Sequence, residues 1–433
     1  MQVSVEKTSE LSRKMTVTLP EDIIQEKMES RFKSLAREVK IDGFRPGKVP
    51  VRVVKKMYSE RVRGEITGDL IQTTYFDALK EQDLNPAGHP HIHPSKETTG
   101  FEYTAEFEVY PEILLDKIPE LEIKKPTATV QQTDVDAMIA KLRDQKKKWQ
   151  VVERAATKGD QATITFSGVC EGEDFTDGKV VDFEVEIGSK KMIPGFEDEL
   201  ISLEAGAKKT FTITFPEQYS GNNELAGKPA EFEIEVIEVK EAILPEIDTE
   251  FIKTYGVEDG TLDSFTADIQ SNMERELTQG LKEALKKSVM DALYEKVQVT
   301  VPNALIDQEV ENIMKPYQDN AKQQNMSLDD MNLPKELFEE QAKRRVALGL
   351  ILGEVIQKKQ IKVNDDKVRS TLEDMAKNYD SPSAVIDWYY SDEKRLNEIK
   401  QMVLEQQAIE WIVEQAKVSN ESVTFADIME KQA

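Results

Sequence analysis

Cysteine is almost absent from this sequence: Cys170 stands alone among 433 residues, so no internal disulfide can form and a reducing, cytosolic setting is expected. Histidine is nearly as scarce, with three residues, all inside the run Gly88-His-Pro-His-Ile-His-Pro94. No stretch approaches the ~20 apolar residues of a membrane span. The opening MQVSVEKTSE lacks the basic-then-apolar pattern of a secretory signal. Catalytic signatures are missing too. There is no G-x-x-x-x-G-K-[ST], no G-x-S-x-G and no H-E-x-x-H, which argues against nucleotide hydrolysis and against serine or metal-dependent hydrolysis. No cofactor and no metal are expected.

What is present is charge, mostly of one sign. Asp and Glu number 82 against 57 Lys and Arg, a net charge of −25. Residues 31–63 reverse this. Eleven basic residues (Arg31, Lys33, Arg37, Lys40, Arg45, Lys48, Arg52, Lys55, Lys56, Arg61, Arg63) face three acidic ones (Glu38, Asp42, Glu60), so the window is +8 and the remainder −33. At its centre lies Gly43-Phe44-Arg45-Pro46-Gly47-Lys48-Val49-Pro50. A cationic island on an anionic protein reads either as a dock for an anionic partner or as a solvated loop between helices. The acidity elsewhere argues against general binding to DNA or RNA, which depends on neutralising phosphates.

Chain length points to about three domains. Over residues 1–112, Val3 and Val5, then Met15, Val17 and Leu19, alternate as hairpin strands do. Pro20, Glu21 and Asp22 open a helix with Ile23, Ile24, Met28, Phe32, Leu35 and Val39 on one face. The Gly43–Pro50 loop ends it, a second helix runs from Val51 to about Glu81, and FEYTAEFEVY at 101–110 is a strand. This is a small α+β domain. Residues 113–154 form a linker with a strand (Leu121–Val130) and a helix (Thr133–Gln150), Thr133 and Asp134 serving as caps.

Residues 155–245 are mostly strand, at 162–168, 180–188, 209–215 and 230–239, interrupted by a short helix Pro194–Ser202. Residues 246–433 are helical almost throughout. From 263 to 297 the apolar positions Phe265, Ile269, Met273, Leu277, Leu281, Leu285, Val289, Leu293 and Val297 recur every fourth residue. That spacing overshoots the helical turn by roughly 40° per step, so the stripe must pass from one partner to another or stay partly open for a client. Further helices are expected at Leu333–Gln357, Asp365–Tyr379, Ala384–Tyr389 and Glu393–Lys417, with Gly349 and Gly353 marking a close helix contact.

On an extended strand His89, His91 and His93 share a face, about 7 Å between neighbours, and two can chelate a metal. With no Cys, Asp or Glu in the run and prolines around it, a surface loop is the simpler reading. Cys170, between Gly168 and Gly172, reads as structural. The aromatic and apolar residues Phe166, Phe175, Phe183, Met192, Ile193, Phe196, Tyr219 and Phe232 read as core until their arrangement is considered. Met192-Ile193-Pro194-Gly195-Phe196-Glu197 follows a strand that ends at Gly188.

That segment, with Thr165–Gly168, Phe175, Phe183–Gly188 and Phe232–Val236, resembles the FKBP-type peptidyl-prolyl isomerase family. The resemblance implies an antiparallel half-barrel around a short helix, with Phe196 as pocket floor and Phe166, Phe175, Phe183, Met192, Ile193, Tyr219 and Phe232 as walls. At one wall the chain departs from the small drug-binding members, carrying Thr176 where they have an acid. The whole chain, through Asp42–Pro50, Met192–Asp198, Leu337–Arg345 and Gly349–Glu354, is similar to the bacterial trigger factor family. The implied protein is a multidomain α+β, ATP-independent cytoplasmic chaperone, with an all-α C-terminal domain of long arms. It would dock on the large ribosomal subunit near the peptide exit and receive nascent and unfolded chains, with links to protein export and cell division. No membrane or direct DNA contact is implied, and a homodimer off the ribosome is compatible with it. Phe44, Arg45 and Pro46 would be the ribosome-contact tip, supported by Gly43, Gly47 and Lys48; Pro46 stands where well-known members have lysine. Two other readings are an isomerase whose outer domains only recruit a substrate or dimerise it, and an inert peptide-binding module.

Overall fold

The computed structural model describes residues 1–430 apart from 43, 45, 46, 95–100, 177, 218, 220–224, 324–333, 378 and 380. Strands β1 (Gln2–Lys7) and β2 (Ser12–Leu19) pair antiparallel with Val3 opposite Val17 and Val5 opposite Met15. The alternation places all four on one face. Pro20 caps helix α1 (Glu21–Glu38) in extended conformation, and Glu21 and Asp22 complement the helix N-terminus. The helix buries Ile24, Phe32 and Ala36, while Ile23 turns outward.

Helix α2 (Val51–Glu81) packs Val54, Val62, Ile66, Leu70 and Tyr75 into the same core as Met15, Val17 and Phe107. Strands β3 (His91–Pro94) and β4 (Phe101–Glu108) complete a four-stranded sheet ordered β1-β2-β4-β3. The histidine run is therefore strand only in part, with His91 and His93 on β3 and His89 before it. His91 pairs with Glu106 and His93 with Thr104, and both histidines are exposed.

After β5 (Glu122–Thr127), helix α3 (Gln132–Gln145) starts one residue before Thr133. Its N-cap is Gln131, in a reciprocal capping box with Asp134, so Asp134 does cap the helix but from the third helical position. The helix also stops five residues early, because Lys148–Val151 become strand β6 on the end of β11, with Trp149 opposite Ala242.

The central sheet has six strands: β6, β7 (Gln161–Cys170), β8 (Glu173–Asp174), β9 (Val180–Glu186), β10 (Lys208–Thr214) and β11 (Pro229–Ile243). Its path runs β10-β11-β7-β8, with β9 also on β7 and β6 on β11. The helix expected from Pro194 to Ser202 contracts to turns and one 3-10 turn, Asp198–Leu200.

The remaining elements are α4 (Thr249–Lys253), α5 (Leu262–Lys296), α6 (Asn303–Gln323), α7 (Glu336–Lys359), α8 (Asp365–Ala376), α9 (Pro382–Tyr390), α10 (Glu393–Gln415), β12 (Lys417–Ser422) and α11 (Phe425–Glu430). Asn364 and Asp392 cap α8 and α10 through their side chains. Strand β12 replaces the helical end expected there. Its KVSNES sequence is poor in helix formers and pairs with β5 instead. Gly349 and Gly353 do not mark a close approach, since a Cβ at either would meet nothing within 4 Å. Leu333 lies outside the described residues.

Two compact units emerge. One combines Met1–Pro126 with Glu283–Glu421, the other Thr127–Lys282 with Ser422–Ala433. Helix α5 contributes to both. Phe265, Ile269, Met273 and Leu277 are buried in the second unit, the first three near Tyr255 and Val257. Val289, Leu293 and Val297 are buried in the first, against Ile351, Val355, Ile409 and Ile412. Leu281 and Leu285, between these groups, are half-buried. The stripe changes partners as its spacing requires. Fully burying such a side chain contributes roughly 1.5–3 kcal/mol, so each end of the helix is firmly held.

Candidate functional site

Pairing in the central sheet brings the aromatic residues together. Phe232 on β11 lies opposite Phe211 on β10 and Gly168 on β7, while Phe166 lies two residues from Gly168 on the same face. Phe196, fully buried, sits 5.3 Å from the Phe232 ring, 5.5 Å from Phe211 and 5.9 Å from Phe166, each edge-to-face. Phe175 lies 5.7 Å from Phe232 and 5.6 Å from Phe215, whose ring is 4.9 Å from Tyr219. Phe183 meets Phe166 at 5.5 Å and stays 37% exposed at the rim. Met192 and Ile193, half-buried, pack against the same cluster. All eight residues expected from the sequence thus meet in one place, with Phe196 and Phe232 deepest. Each edge-to-face pair adds about 0.5–1.5 kcal/mol beyond burial.

Two members were not foreseen, Phe211 and Phe215. The signal for them was the alternation of KTFTITF, which aims both rings to the face that carries Ile213. Gly168 is needed for close approach: a Cβ there would come 2.3 Å from Cζ of Phe175. Thr176, at the divergent wall, is occupied locally. Its hydroxyl oxygen accepts from the Gly168 N–H at 3.1 Å and lies 2.7 Å from an Asp174 carboxylate oxygen.

Behind the pocket, Glu197 is a buried carboxylate, 7% exposed. The backbone N–H groups of Gly188 and Lys190 donate to Oε2 at 2.7 and 3.0 Å. Those of Lys191 and Met192 donate to Oε1 at 3.0 and 3.1 Å, as does the Ser189 hydroxyl at 3.1 Å. Burial pushes the carboxyl pKa up, but the Lys190, Met192 and Gly188 N–H groups and the Ser189 hydroxyl outweigh it and hold it below the ordinary value. The side chain thereby satisfies the loop amides of Gly188, Lys190, Lys191 and Met192.

The cationic island is organised differently. Arg31 pairs with Glu65 and Glu38, Lys55 with Glu29 and Arg63 with Glu21. Among the described residues Lys33, Arg37, Lys40, Lys48, Arg52, Lys56 and Arg61 form no ion pair, and Arg37, Lys40, Lys48 and Arg52 flank the loop. Phe44 is 39% exposed, and its N–H donates to the Ile41 carbonyl at 3.1 Å. Gly47 adopts φ +76°, a left-handed turn favourable to glycine. Lys48 is exposed, and Val49 is buried in the domain core. Gly43, Arg45 and Pro46 lie outside the described residues.

Among the described residues no three His, Cys, Asp or Glu side chains are gathered to hold a metal ion. Cys170 is buried, and its thiol donates to the Pro229 carbonyl at 3.6 Å. No described helix is long and apolar enough to cross a membrane.

Comparison with known proteins accords with this arrangement. The family model for "Bacterial trigger factor protein (TF)" matches residues 1–142 and its C-terminal counterpart 261–414; the "FKBP-type peptidyl-prolyl cis-trans isomerase" model matches 152–237. Trigger factor from Stutzerimonas stutzeri is 42% identical over 429 residues, covering 99% of this chain and 98% of that one. Trigger factor from Thioalkalivibrio sulfidiphilus is 41% identical over 436 residues, again covering 99% and 98%. Similar in fold is a solved structure described as "Promiscuous Substrate Recognition in Folding and Assembly Activities of the Trigger Factor Chaperone", at TM-score 0.51 and 19% identity, covering 96% of this chain and 99% of that one. With relatives this similar along nearly its full length, the chain belongs to the trigger factor family, chaperones that carry an FKBP-type peptidyl-prolyl isomerase domain.

Proposed function

We propose that the aromatic pocket around Phe196 is the isomerase site and that the Phe44-Arg45-Pro46 tip, with Gly43, Gly47 and Lys48, docks this cytoplasmic chaperone on the ribosome beside the peptide exit. Function divides along the chain as 1–112 for docking, 113–154 as linker, 155–245 for isomerisation and 246–433 for holding nascent and unfolded chains. The observation that carries the isomerase assignment is the ring cluster itself, with Phe196 and Phe232 buried and Phe166, Phe175, Phe183, Met192, Ile193 and Tyr219 around them.

Rotation about an X-Pro bond crosses a barrier of ~18–20 kcal/mol, because resonance keeps the amide planar. The twisted state loses that resonance and much of its charge separation. A water-poor aromatic pocket therefore favours it over the planar ground state, without any acid or base. For a chaperone the two activities complement each other. Emerging chains expose apolar segments before they can bury them, and uncatalysed proline isomerisation takes tens of seconds.

Cations that make no ion pair among the described residues, flanking a partly exposed Phe44, support the dock. Contacts to ribosomal phosphates would make it steeply salt-dependent. The test is ribosome co-sedimentation of the full chain across a salt series. Phe44→Ala with Arg45→Ala should abolish pelleting at moderate salt and leave proline-peptide isomerisation unchanged. Undiminished pelleting would overturn the docking assignment.

A further inference from the structure

We propose that Glu197 is a positioning residue for prolyl isomerisation, fixing the Met192–Ile193 wall at a set distance from the Phe196 floor. The proposal rests on the assignment of the pocket above and concerns a group that touches no substrate. Its carboxylate receives every backbone N–H from Gly188 to Met192 except that of Ser189, which contributes its hydroxyl instead. Glu197 is also the direct chain neighbour of Phe196. One buried anion therefore ties the floor residue to the backbone that presents the wall.

The loop would not hold this shape unaided. Gly188 and Lys190 both have left-handed backbone, at φ +95° and +59°. For lysine that conformation is disfavoured, and it persists only where its surroundings over-determine it. The left-handed residues turn successive N–H groups towards one point, the concave donor arrangement that suits an anion. Here the anion is supplied by the protein itself. A pocket that acts by shape depends on how closely its walls match the twisted amide, and a misplacement of about 1 Å can cost on the order of a hundredfold in rate. A loosened wall should therefore cost turnover more than ground-state binding.

The experiment measures kcat and KM on a proline peptide for the full-length chain and for Glu197→Gln, Glu197→Asp, Ser189→Ala and Phe196→Ala. Backbone amide resonances and hydrogen exchange are read in the same samples. Gln keeps one acceptor oxygen but sets an NH2 group against the loop donors, while Asp keeps the charge one methylene short. The expected result for Glu197→Gln is a kcat at least tenfold lower with KM within threefold. The amides of Gly188, Lys190, Lys191 and Met192 should shift while those of β7 and β11 stay protected. Glu197→Asp should recover part of kcat. Shifted loop amides with kcat within twofold of the parent would overturn the proposal. If Glu197→Gln loses protection in β7 and β11, Ser189→Ala decides, because it removes one donor only. It should lower kcat twofold to fivefold, and an unchanged kcat overturns the proposal. Full activity in Phe196→Ala would instead overturn the pocket assignment, so the two failures are distinguishable.

Discussion

The aromatic pocket and the basic tip are built on opposite physical terms. In the pocket each ring is held by others at 4.9–5.9 Å, and a buried carboxylate fixes the adjoining loop. At the tip Phe44 keeps 39% of its surface exposed, and Arg37, Lys40, Lys48 and Arg52 beside the loop make no ion pairs among the described residues. The rings are ordered by folding itself, which would leave the proposed isomerase site shaped before a twisted amide enters it. The proposed dock instead presents exposed charge, as at Lys48, to an incoming partner. Preorganisation suits the first because its chemistry is a matter of shape. Exposed charge suits the second because it governs encounter and salt response.

The sharpest way to break this comparison is Phe196→Ala. Isomerisation of a proline peptide should fall on the order of a hundredfold, as expected when a shape-matched site loses its floor. Ribosome co-sedimentation should stay at the parental level, since the proposed dock uses none of the pocket residues. Gly168→Ala comes next. Its Cβ would push the Phe175 ring aside, and overpacking of this kind typically costs about 1–3 kcal/mol. A lower melting temperature together with a kcat/KM several-fold lower is the expected reading.

Acid should also separate the two regions. Burial pushes the Asp160 pKa up, but the Arg154 guanidinium and the N–H and hydroxyl of Thr157 outweigh it and hold the carboxyl low. Glu197 is held low in the same way. For carboxylates depressed in the folded state, the stability they add is complete above their unfolded pKa values. It is lost as pH falls through the folded ones, a window lying below about pH 5. Denaturant melts of the full chain between neutral pH and pH 3 should show the transition reported by isomerase activity moving to lower denaturant. In Asp160→Asn that acid sensitivity should shrink. The smallest effect lies away from both sites. Gly349→Ala and Gly353→Ala place a methyl group where nothing is within 4 Å. Each should stabilise α7 by up to ~1 kcal/mol through helix propensity, read as a small rise in midpoint with both activities unchanged.

Much of this was legible in the sequence because periodicity maps directly onto faces. Val3, Val5, Met15 and Val17 announced a hairpin, and α2 begins and ends where its pattern does. The four-residue stripe on α5 called for a change of partners or a partly open face, of which the first occurs, and the eight aromatic and apolar residues of the candidate pocket do converge. What stayed hidden depends on contacts between residues distant in sequence. Helix α3 yields Lys148–Val151 to β11, a partner ninety residues on, and β12 forms because β5 offers an edge. Turns stand at 194–197 where a helix was expected, and the bonds donated to Glu197 by the amides of Gly188 and Met192 before them follow from no local pattern. Phe211 and Phe215 were read as ordinary strand residues, since alternation reveals a face but not what that face encloses. The ion pairs of Arg31, Lys55 and Arg63 likewise needed the packing of α1 on α2.

Helix α5 also bears on the order in which this protein can be made. One unit needs two widely separated segments, Met1–Pro126 and Glu283–Glu421, whereas the other is nearly complete by Lys282. During synthesis from the N-terminus, the inserted unit therefore has almost all its sequence while the first unit still awaits its second half. Domains generally fold as units as the chain emerges. The opening segment must keep apolar residues such as Ile113, Ile118 and Leu121 uncovered until α7 and α10 exist to receive them. A chaperone of this architecture spends much of its own synthesis as an incompletely buried chain, the condition its family serves in others.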